Sequence, residues 1–160
     1  MQYKKEKIIL FIVNDISFFL SHRIILAKTM IKKGFKVLIA GNYTSDFNLS
    51  LYKDLEFINL STKSVNINPF YNLKTLIQMF TIINRHKPDI LHLITLKPII
   101  FGSLISKILK IKKVISSFAG FGIVFSYNRS LKKNILKYII LFFLKISLNH
   151  NNNFFIVQNT

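Results

Sequence analysis

The segment from residue 7 to residue 41 constrains the fold of this chain more than any other. Residues 8–13 are continuously apolar, which is typical of a parallel strand buried on both faces. Apolar side chains then recur at spacings of three and four, which predicts a helix over residues 18–33 that ends at Gly34. Residues 35–40 form a second apolar run. The order strand, helix, strand is how a parallel α/β sheet begins.

The connection after the first strand lacks the glycines that many nucleotide-binding folds place there. Residues 14–23 read NDISFFLSHR, with no close glycine pair against which a pyrophosphate could lie. No GxxxxGKS or GxxxxGKT loop occurs in the chain either. We therefore expect neither a tightly bound dinucleotide nor a Walker-type nucleotide site.

The remaining sequence continues the alternation of strands and helices. Strands are predicted at residues 56–60, 90–94, 112–117 and 154–158, and helices near residues 73–83, 98–109 and 130–148. Right-handed crossovers between such units predict a Rossmann-like parallel sheet with helices on both faces. The length of 160 residues favours one domain over residues 1–160. Because the sequence stops directly after an apolar strand, we expect a fragment of a larger enzyme or one half of a split enzyme.

Composition narrows the classes of partner. The absence of cysteine excludes disulfides and thiolate metal sites and favours a reducing compartment. The formal net charge of +17 favours acidic partners such as phospholipid head groups, phosphorylated substrates or nucleic acid, although AT-rich coding would also produce many lysines. The basic residues are spread along the chain, which argues against a nucleic-acid-binding arm. The apolar runs at residues 8–13 and 138–148 are too short to span a membrane, so we expect no transmembrane segment.

Ligands of open parallel sheets bind beyond the carboxyl ends of the strands, where the strand order reverses. If the first and fourth strands are neighbours, residues 14–23, 95–98 and 118–125 line that crevice. Within the first segment, His22 and Arg23 would hold a phosphate or carboxylate together with the exposed helix amides. The alternative is that both side chains are solvated, or that the histidine contacts a local carbonyl group.

The other candidates in the crevice are equally open to two interpretations. Asn14 lines it, and Asp15 either orients a sugar hydroxyl or caps the helix. Phe18 and Phe19 form a hydrophobic lip for an acceptor or pack in the core. Lys97 would reach a phosphate as a point charge, or is solvated. The candidates after the fifth strand, where backbone could approach a ligand or simply turn tightly, are Gly120, Phe121 and Gly122.

Three further features complete the set of candidates. His92 lies inside an apolar strand, where a hydrogen-bonded core histidine is favoured over a catalytic one. Arg129, Lys133 and Lys137 form one cationic stripe on the last predicted helix, which fits either an anionic membrane surface or the solvated side of a core helix. Histidines and carboxylates are not grouped at ligand spacings, so no metal site is predicted.

Four stretches of the chain, in order, resemble family-4-type glycosyltransferases that build bacterial surface polysaccharides. The first is VNDISFFLSHRIILAKTMIKKGFKVLIAG, which contains the family's Phe-Phe-x-Ser-His-Arg. The others are PDILHLITLKPIIFGSLIS, VISSFAGFGIVFS and FFIVQN. The resemblance implies the N-terminal, acceptor-facing lobe of a two-lobed GT-B enzyme, cytoplasmic or peripheral on the inner face of the membrane. His22, Arg23, Lys97 and residues 120–122 would then face the cleft between the lobes.

The resemblance also implies an activity. Enzymes of this type retain the anomeric configuration, need no metal or other cofactor, and transfer a sugar from a nucleotide-sugar donor to a lipid-linked or oligosaccharide acceptor. The C-terminal lobe with its Glu-x7-Glu motif is absent from the sequence, and Phe118-Ala119-Gly120 replaces a cleft histidine of many relatives, so no catalytic base is assigned. A sugar-nucleotide 2-epimerase and a non-catalytic membrane-surface subunit of a split transferase are the alternatives.

Overall fold

The computed structural model describes residues 6–44, 48, 52–62, 68–119, 138, 141–146, 149 and 153–158. All the described strands run parallel in one six-stranded sheet of order β3-β2-β1-β4-β5-β6. The strands are β1 (Lys7–Asp15), β2 (Phe35–Asn42), β3 (Glu56–Asn59), β4 (Ile90–Ile94), β5 (Val114–Ala119) and β6 (Asn153–Gln158), and the helices are α1 (Ile16–Lys32), α2 (Pro69–His86) and α3 (Leu96–Ile108). The predicted Rossmann-like α/β fold is therefore confirmed.

Each face of the sheet carries its own apolar layer because β1 alternates its buried side chains between the two. Leu10 and Ile12 point to the face covered by α2 and α3, and Phe11 and Val13 point to the face covered by α1. All four side chains are buried, as expected for a central parallel strand. The chain thus places helices on both faces, with β1 in the middle of the sheet.

Several element boundaries differ from those predicted from the sequence. Helix α1 begins at Ile16, two residues early, and α3 begins at Leu96, so residues 96–98 are helical and not a loop. Strand β5 continues to Ala119 because β6 pairs with it along its whole length. Strand β4 covers residues 90–94 as predicted, and Gly34 adopts a φ of 80° after α1, the left-handed conformation expected of a residue that ends a helix.

Candidate functional site

The strand order reverses between β1 and β4, which are hydrogen-bonded neighbours. This confirms the adjacency on which the predicted crevice depends, and parallel sheets bind ligands at such a position. The residues that the structure places at the carboxyl ends of the strands here are Asn14, Asp15, Thr62, Thr95 and Lys97, which we call the carboxyl-end rim.

Asp15 caps helix α1. Its Oδ1 accepts hydrogen bonds from the backbone N–H groups of Ser17 (2.7 Å) and Phe18 (3.3 Å). These are the amides that an anion at this helix terminus would use, and the capping carboxylate adds a negative charge beside them. Two of the α1 amides that were expected to be exposed to an anion are therefore engaged by the cap. Of the two roles considered for Asp15, the cap is the one observed.

His22 lies in the second turn of α1 and makes local contacts. Its Nδ1 is 2.7 Å from Ser21 Oγ and 3.1 Å from the carbonyl oxygen of Phe18. The imidazole also stacks on the ring of Phe18, with 4.4 Å between ring centroids. The structure thus shows the alternative considered for this residue, a contact with a local carbonyl group. Arg23, the next residue, is partly buried on the same helix.

The two phenylalanines proposed as a hydrophobic lip have different environments. Phe19 is fully buried and packs edge-on against Phe11, with 5.1 Å between ring centroids. Phe19 belongs to the core between α1 and the sheet, so its assignment to the lip is wrong. The reason is that position 19 lies on the side of α1 that faces the sheet. Phe18 is partly exposed and packs on the border of the same core.

Asn14 is buried at the end of β1 and accepts a hydrogen bond from Thr62. The distance between Thr62 Oγ1 and Asn14 Oδ1 is 3.1 Å, and both side chains are buried. Thr62 follows β3, so this bond joins the carboxyl ends of two strands that are not neighbours in the sheet. Asn14 therefore stabilises the rim through a buried hydrogen bond. Its partner, Thr62, was not among the candidates identified from the sequence.

Thr95 joins β4 to α3 in a strained conformation. Its φ of 73° and ψ of 156° lie in a region that is essentially restricted to glycine. The β-branched side chain of threonine increases the steric strain of this conformation. Its Oγ1 is buried and, among the described atoms, makes no hydrogen bond. Strain of this kind amounts to about 1–3 kcal/mol and is found preferentially at functional positions. Because threonine carries no sequence signal for positive φ, the sequence could not reveal this geometry.

Lys97 lies in the first turn of α3 and is held against α2. Its Nζ is 5.7 Å from the centroid of the Tyr71 ring, within the range of a cation–π interaction. Burial lowers the pKa of this lysine from its usual value. The side chain is thus partly desolvated at the rim, where a positive charge interacts more strongly with an anion than it would in water.

His92 is a core residue, as favoured from the sequence. It is 2% exposed, its Nε2 lies 2.7 Å from Ser117 Oγ, and its ring packs against Phe11 at a centroid distance of 5.0 Å. Burial, and secondarily the positive charge of Arg23, lower its pKa to about 4. The imidazole is therefore neutral at physiological pH.

Some predicted features lie outside the described residues. They are Gly120, Phe121, Gly122, Arg129, Lys133 and Lys137. Residues 141–146 are helical, with Leu144 buried against the core and Phe142 exposed. Among the described residues, no three histidines or carboxylates group as metal ligands would. No described helix is both long enough and apolar enough to cross a membrane.

The chemistry of the rim is that of binding and orientation. It offers the ammonium of Lys97 and the hydroxyl of Thr95, and α1 carries the guanidinium of Arg23 in its second turn. All three groups suit an oxyanion or a polyol. Its carboxylate, Asp15, is engaged in capping. Proton transfer to or from a substrate therefore has no group assigned to it among the described residues of the rim.

Comparison with solved structures shows the same fold in proteins of low sequence identity. The chain matches MurG from Acinetobacter baumannii (TM-score 0.56, 16% identity, 84% of this chain and 39% of MurG). It also matches a glycosyltransferase from Rickettsia africae ESF-5 (0.57, 19%, 98% and 44%) and the UDP-GlcNAc 2-epimerase from Methanocaldococcus jannaschii (0.53, 18%, 94% and 45%). The chain therefore spans less than half the length of each of these proteins.

Comparison with protein families covers nearly the whole chain. The profile of the family described as glycosyl transferase 4-like matches residues 8–159. No curated protein sequence matches significantly. The family match extends from β1 through β6, so it spans every element that builds the sheet. The resemblance to family-4-type glycosyltransferases is thereby confirmed, and the chain belongs to the glycosyl transferase 4-like family.

Proposed function

We propose that this chain is the acceptor-side lobe of a retaining glycosyltransferase that acts in surface polysaccharide synthesis, on capsule, O-antigen or lipooligosaccharide. The family match over residues 8–159 carries the proposal. In the reaction, the bond between the sugar and the phosphate of a nucleotide-sugar donor breaks, and a hydroxyl of a lipid-linked or oligosaccharide acceptor forms the new glycosidic bond and loses its proton. Donor contacts and catalytic groups would come from a second lobe.

The first connection of the sheet supports the acceptor side. Strand β1 passes directly into α1, with Asp15 as the last strand residue and Ile16 as the first helical one. This junction has no glycine and its first amides are capped, so a pyrophosphate cannot lie against it. By contrast, Lys97 and Arg23 suit the phosphate of a lipid-linked acceptor as cationic partners. The net charge of +17 supports work at an anionic surface, which we propose is the inner face of the cytoplasmic membrane.

The test is a transfer assay with the full-length gene product, a panel of nucleotide sugars and lipid-linked acceptors. Mass spectrometry should detect an acceptor enlarged by one sugar, and NMR of the new linkage should show the anomeric configuration of the donor. A chelator should leave the rate unchanged, because we propose that no metal takes part. Failure to consume any nucleotide sugar would contradict the transferase, and inversion at C2 of the sugar without an acceptor would favour the epimerase.

Variants of the rim localise the acceptor. Lys97→Met and Arg23→Met should each lower kcat/KM for the lipid-linked acceptor by about tenfold or more, mainly through KM, because each removes a charged hydrogen-bond donor worth about 1.5–3 kcal/mol. Lys28→Met is the matched control, since Lys28 is an exposed lysine further along α1. Equal effects of all three substitutions would mean that net charge, and not the rim, governs acceptor binding.

A further inference from the structure

Helix α2 presents a second apolar stripe to solvent. Its inward side packs Thr75, Met79 and Ile83 into the core. Its outward side carries four large apolar side chains that are well exposed, namely Phe70 (82%), Leu73 (54%), Ile77 (57%) and Phe80 (38%). We call these four residues the α2 stripe.

The spacing of the α2 stripe shows that it is a continuous surface. Steps of three, four and three residues keep side chains on one side of a helix with 3.6 residues per turn, here within about 80° of arc. A helix at the surface of a soluble protein normally has a single apolar side, which faces the core. Contiguous exposed apolar surface of this kind marks a site of interaction, whereas single exposed residues do not.

The charges around the α2 stripe indicate an anionic partner. Lys74 and Arg85 are exposed on the same helix, and α2 contains no acidic residue. An apolar stripe flanked by exposed basic side chains is the pattern of a helix that lies in the interface of an anionic bilayer.

A second copy of the chain fits the α2 stripe less well. Each copy carries a net charge of +17, so two copies repel each other. The four side chains expose roughly 400 Å² in total, if a large aromatic side chain presents about 200 Å². A standard protein interface buries about 800 Å² on each partner. The stripe is therefore small for a stable dimer but sufficient for a shallow insertion among lipid head groups.

The α2 stripe also begins at the candidate site. In a parallel sheet the crossover helices start at the carboxyl ends of the strands, and the contact of Lys97 with Tyr71 shows that the first turns of α2 and α3 lie together there. Phe70, the most exposed residue of the stripe, lies in that first turn of α2. From Phe70 to Phe80 the stripe runs about 15 Å along the helix, at 1.5 Å per residue.

We propose that the α2 stripe inserts into the head-group region of an anionic lipid bilayer and holds the carboxyl-end rim at the membrane surface. This inference rests on the proposed function for its purpose, since a lipid-linked acceptor would then reach the rim without leaving the bilayer. It differs from the sequence-based hypothesis, which assigned membrane contact to the stripe of Arg129, Lys133 and Lys137. The apolar insertion is made by α2, and its exposed basic side chains, Lys74 and Arg85, contact the lipid phosphates.

The first test uses the absence of tryptophan from the chain. Phe70→Trp places one fluorophore in the α2 stripe, and Ile25→Trp places one at a 79% exposed position on α1, the helix of the opposite sheet face. With vesicles of phosphatidylcholine and phosphatidylglycerol, the emission of Phe70→Trp should shift to the blue and be quenched by lipids brominated on the acyl chains. Ile25→Trp should show neither change. Quenching of Ile25→Trp alone, or of neither variant, would overturn the proposal.

The second test measures binding by co-sedimentation with the same vesicles. Phe70→Ser with Ile77→Ser should lower the partition coefficient by about tenfold or more, since each large side chain contributes a sizeable part of its transfer free energy. Ile25→Ser should change it by less than about twofold, because Ile25 lies on α1, outside the α2 stripe. A double variant that binds as tightly as the wild type would overturn the proposal, as would a wild-type dimer that this variant converts to a monomer.

The two proposals fail in different ways. The double variant should still transfer sugar to a water-soluble acceptor and should lose rate only on vesicle-embedded acceptor. If the wild type transfers to neither acceptor, the proposed function is wrong while the vesicle results still decide the role of the α2 stripe. If the wild type transfers to both and the double variant matches it on vesicles, the membrane contact is wrong and the function stands.

Discussion

Protonation of His92 should make the fold sensitive to mild acid. Burial and the charge of Arg23 lower its pKa to about 4 in the folded chain, against 6.5 for an ordinary histidine. Between these two pH values the unfolded chain binds one proton more than the folded chain, so stability falls as the pH is lowered. The loss begins near pH 6.5, cannot exceed about 1.4 kcal/mol per pH unit, and levels off near pH 4 at about 3 kcal/mol in total.

The surroundings of His92 give no compensation for a positive charge. The groups in contact with it are the aromatic ring of Phe11 on β1 and the hydroxyl of Ser117 on β5, and the charge that acts on it is the positive charge of Arg23. None of these is a carboxylate, so an imidazolium would be buried without a counter-ion.

The assay is urea unfolding followed by circular dichroism at pH 7, 6, 5 and 4. His92→Gln keeps a polar atom near Ser117 but cannot ionise, so its stability should change with pH by about 3 kcal/mol less than that of the wild type over this interval. His22→Gln is the control for the loss of a histidine, because His22 is exposed on α1. If the wild type and His92→Gln lose stability in parallel, the buried neutral imidazole is not the cause and the reasoning is refuted.

Substitutions at three further positions test the geometry of the rim and its support by unfolding measurements. Thr95→Gly should stabilise the fold by about 1 kcal/mol, because relief of strain exceeds the added entropy of the unfolded chain, and a loss of stability would contradict the strain. Asp15→Ala should destabilise by about 1 kcal/mol and Asp15→Asn by much less if the side chain acts as a cap, whereas equal losses would not fit. Gly102→Ala should destabilise by about 1–3 kcal/mol, because its Cβ would lie 2.3 Å from Leu93 Cδ2, and the penalty should vanish when Leu93 is alanine.

The sheet could be predicted from the sequence because its strands are encoded locally. Residues 90–94 follow Pro88-Asp89 as an apolar run interrupted only by His92, and β4 has those bounds. Asp89 even anchors the neighbouring strand, since its Oδ2 accepts a hydrogen bond of 2.9 Å from the Ile8 N–H. By contrast, β5 could not be bounded, because its last residues are extended through pairing with β6, which is distant in sequence.

The rim could be predicted less well than the sheet. The position of Lys97 near a strand end made it a candidate from the sequence. That its ammonium lies over the ring of Tyr71 could not be predicted, because this is a contact between two helices. Adjacent phenylalanines at positions 18 and 19 look alike in the sequence, and only the exact start of α1 decides that Phe19 is the buried one. Thr95 gives no signal at all, because threonine is disfavoured in the conformation it adopts. Side-chain direction at helix starts therefore requires the tertiary structure.

Ser117 connects the acid-sensitive core to the rim. Its hydroxyl contacts His92, and its carbonyl oxygen accepts a hydrogen bond of 3.4 Å from the N–H of Thr95, the strained residue that starts α3. Ser117 thus contacts both the buried, neutral imidazole of His92 and the strained backbone of Thr95. A strained backbone conformation persists only where surrounding contacts hold it. For Thr95, β5 supplies such a contact through the carbonyl oxygen of Ser117. The hydrogen-bonded pair of His92 and Ser117 therefore helps to hold Thr95 in place. Since Lys97 lies two residues after Thr95, the same pair supports the position of Lys97 in the rim.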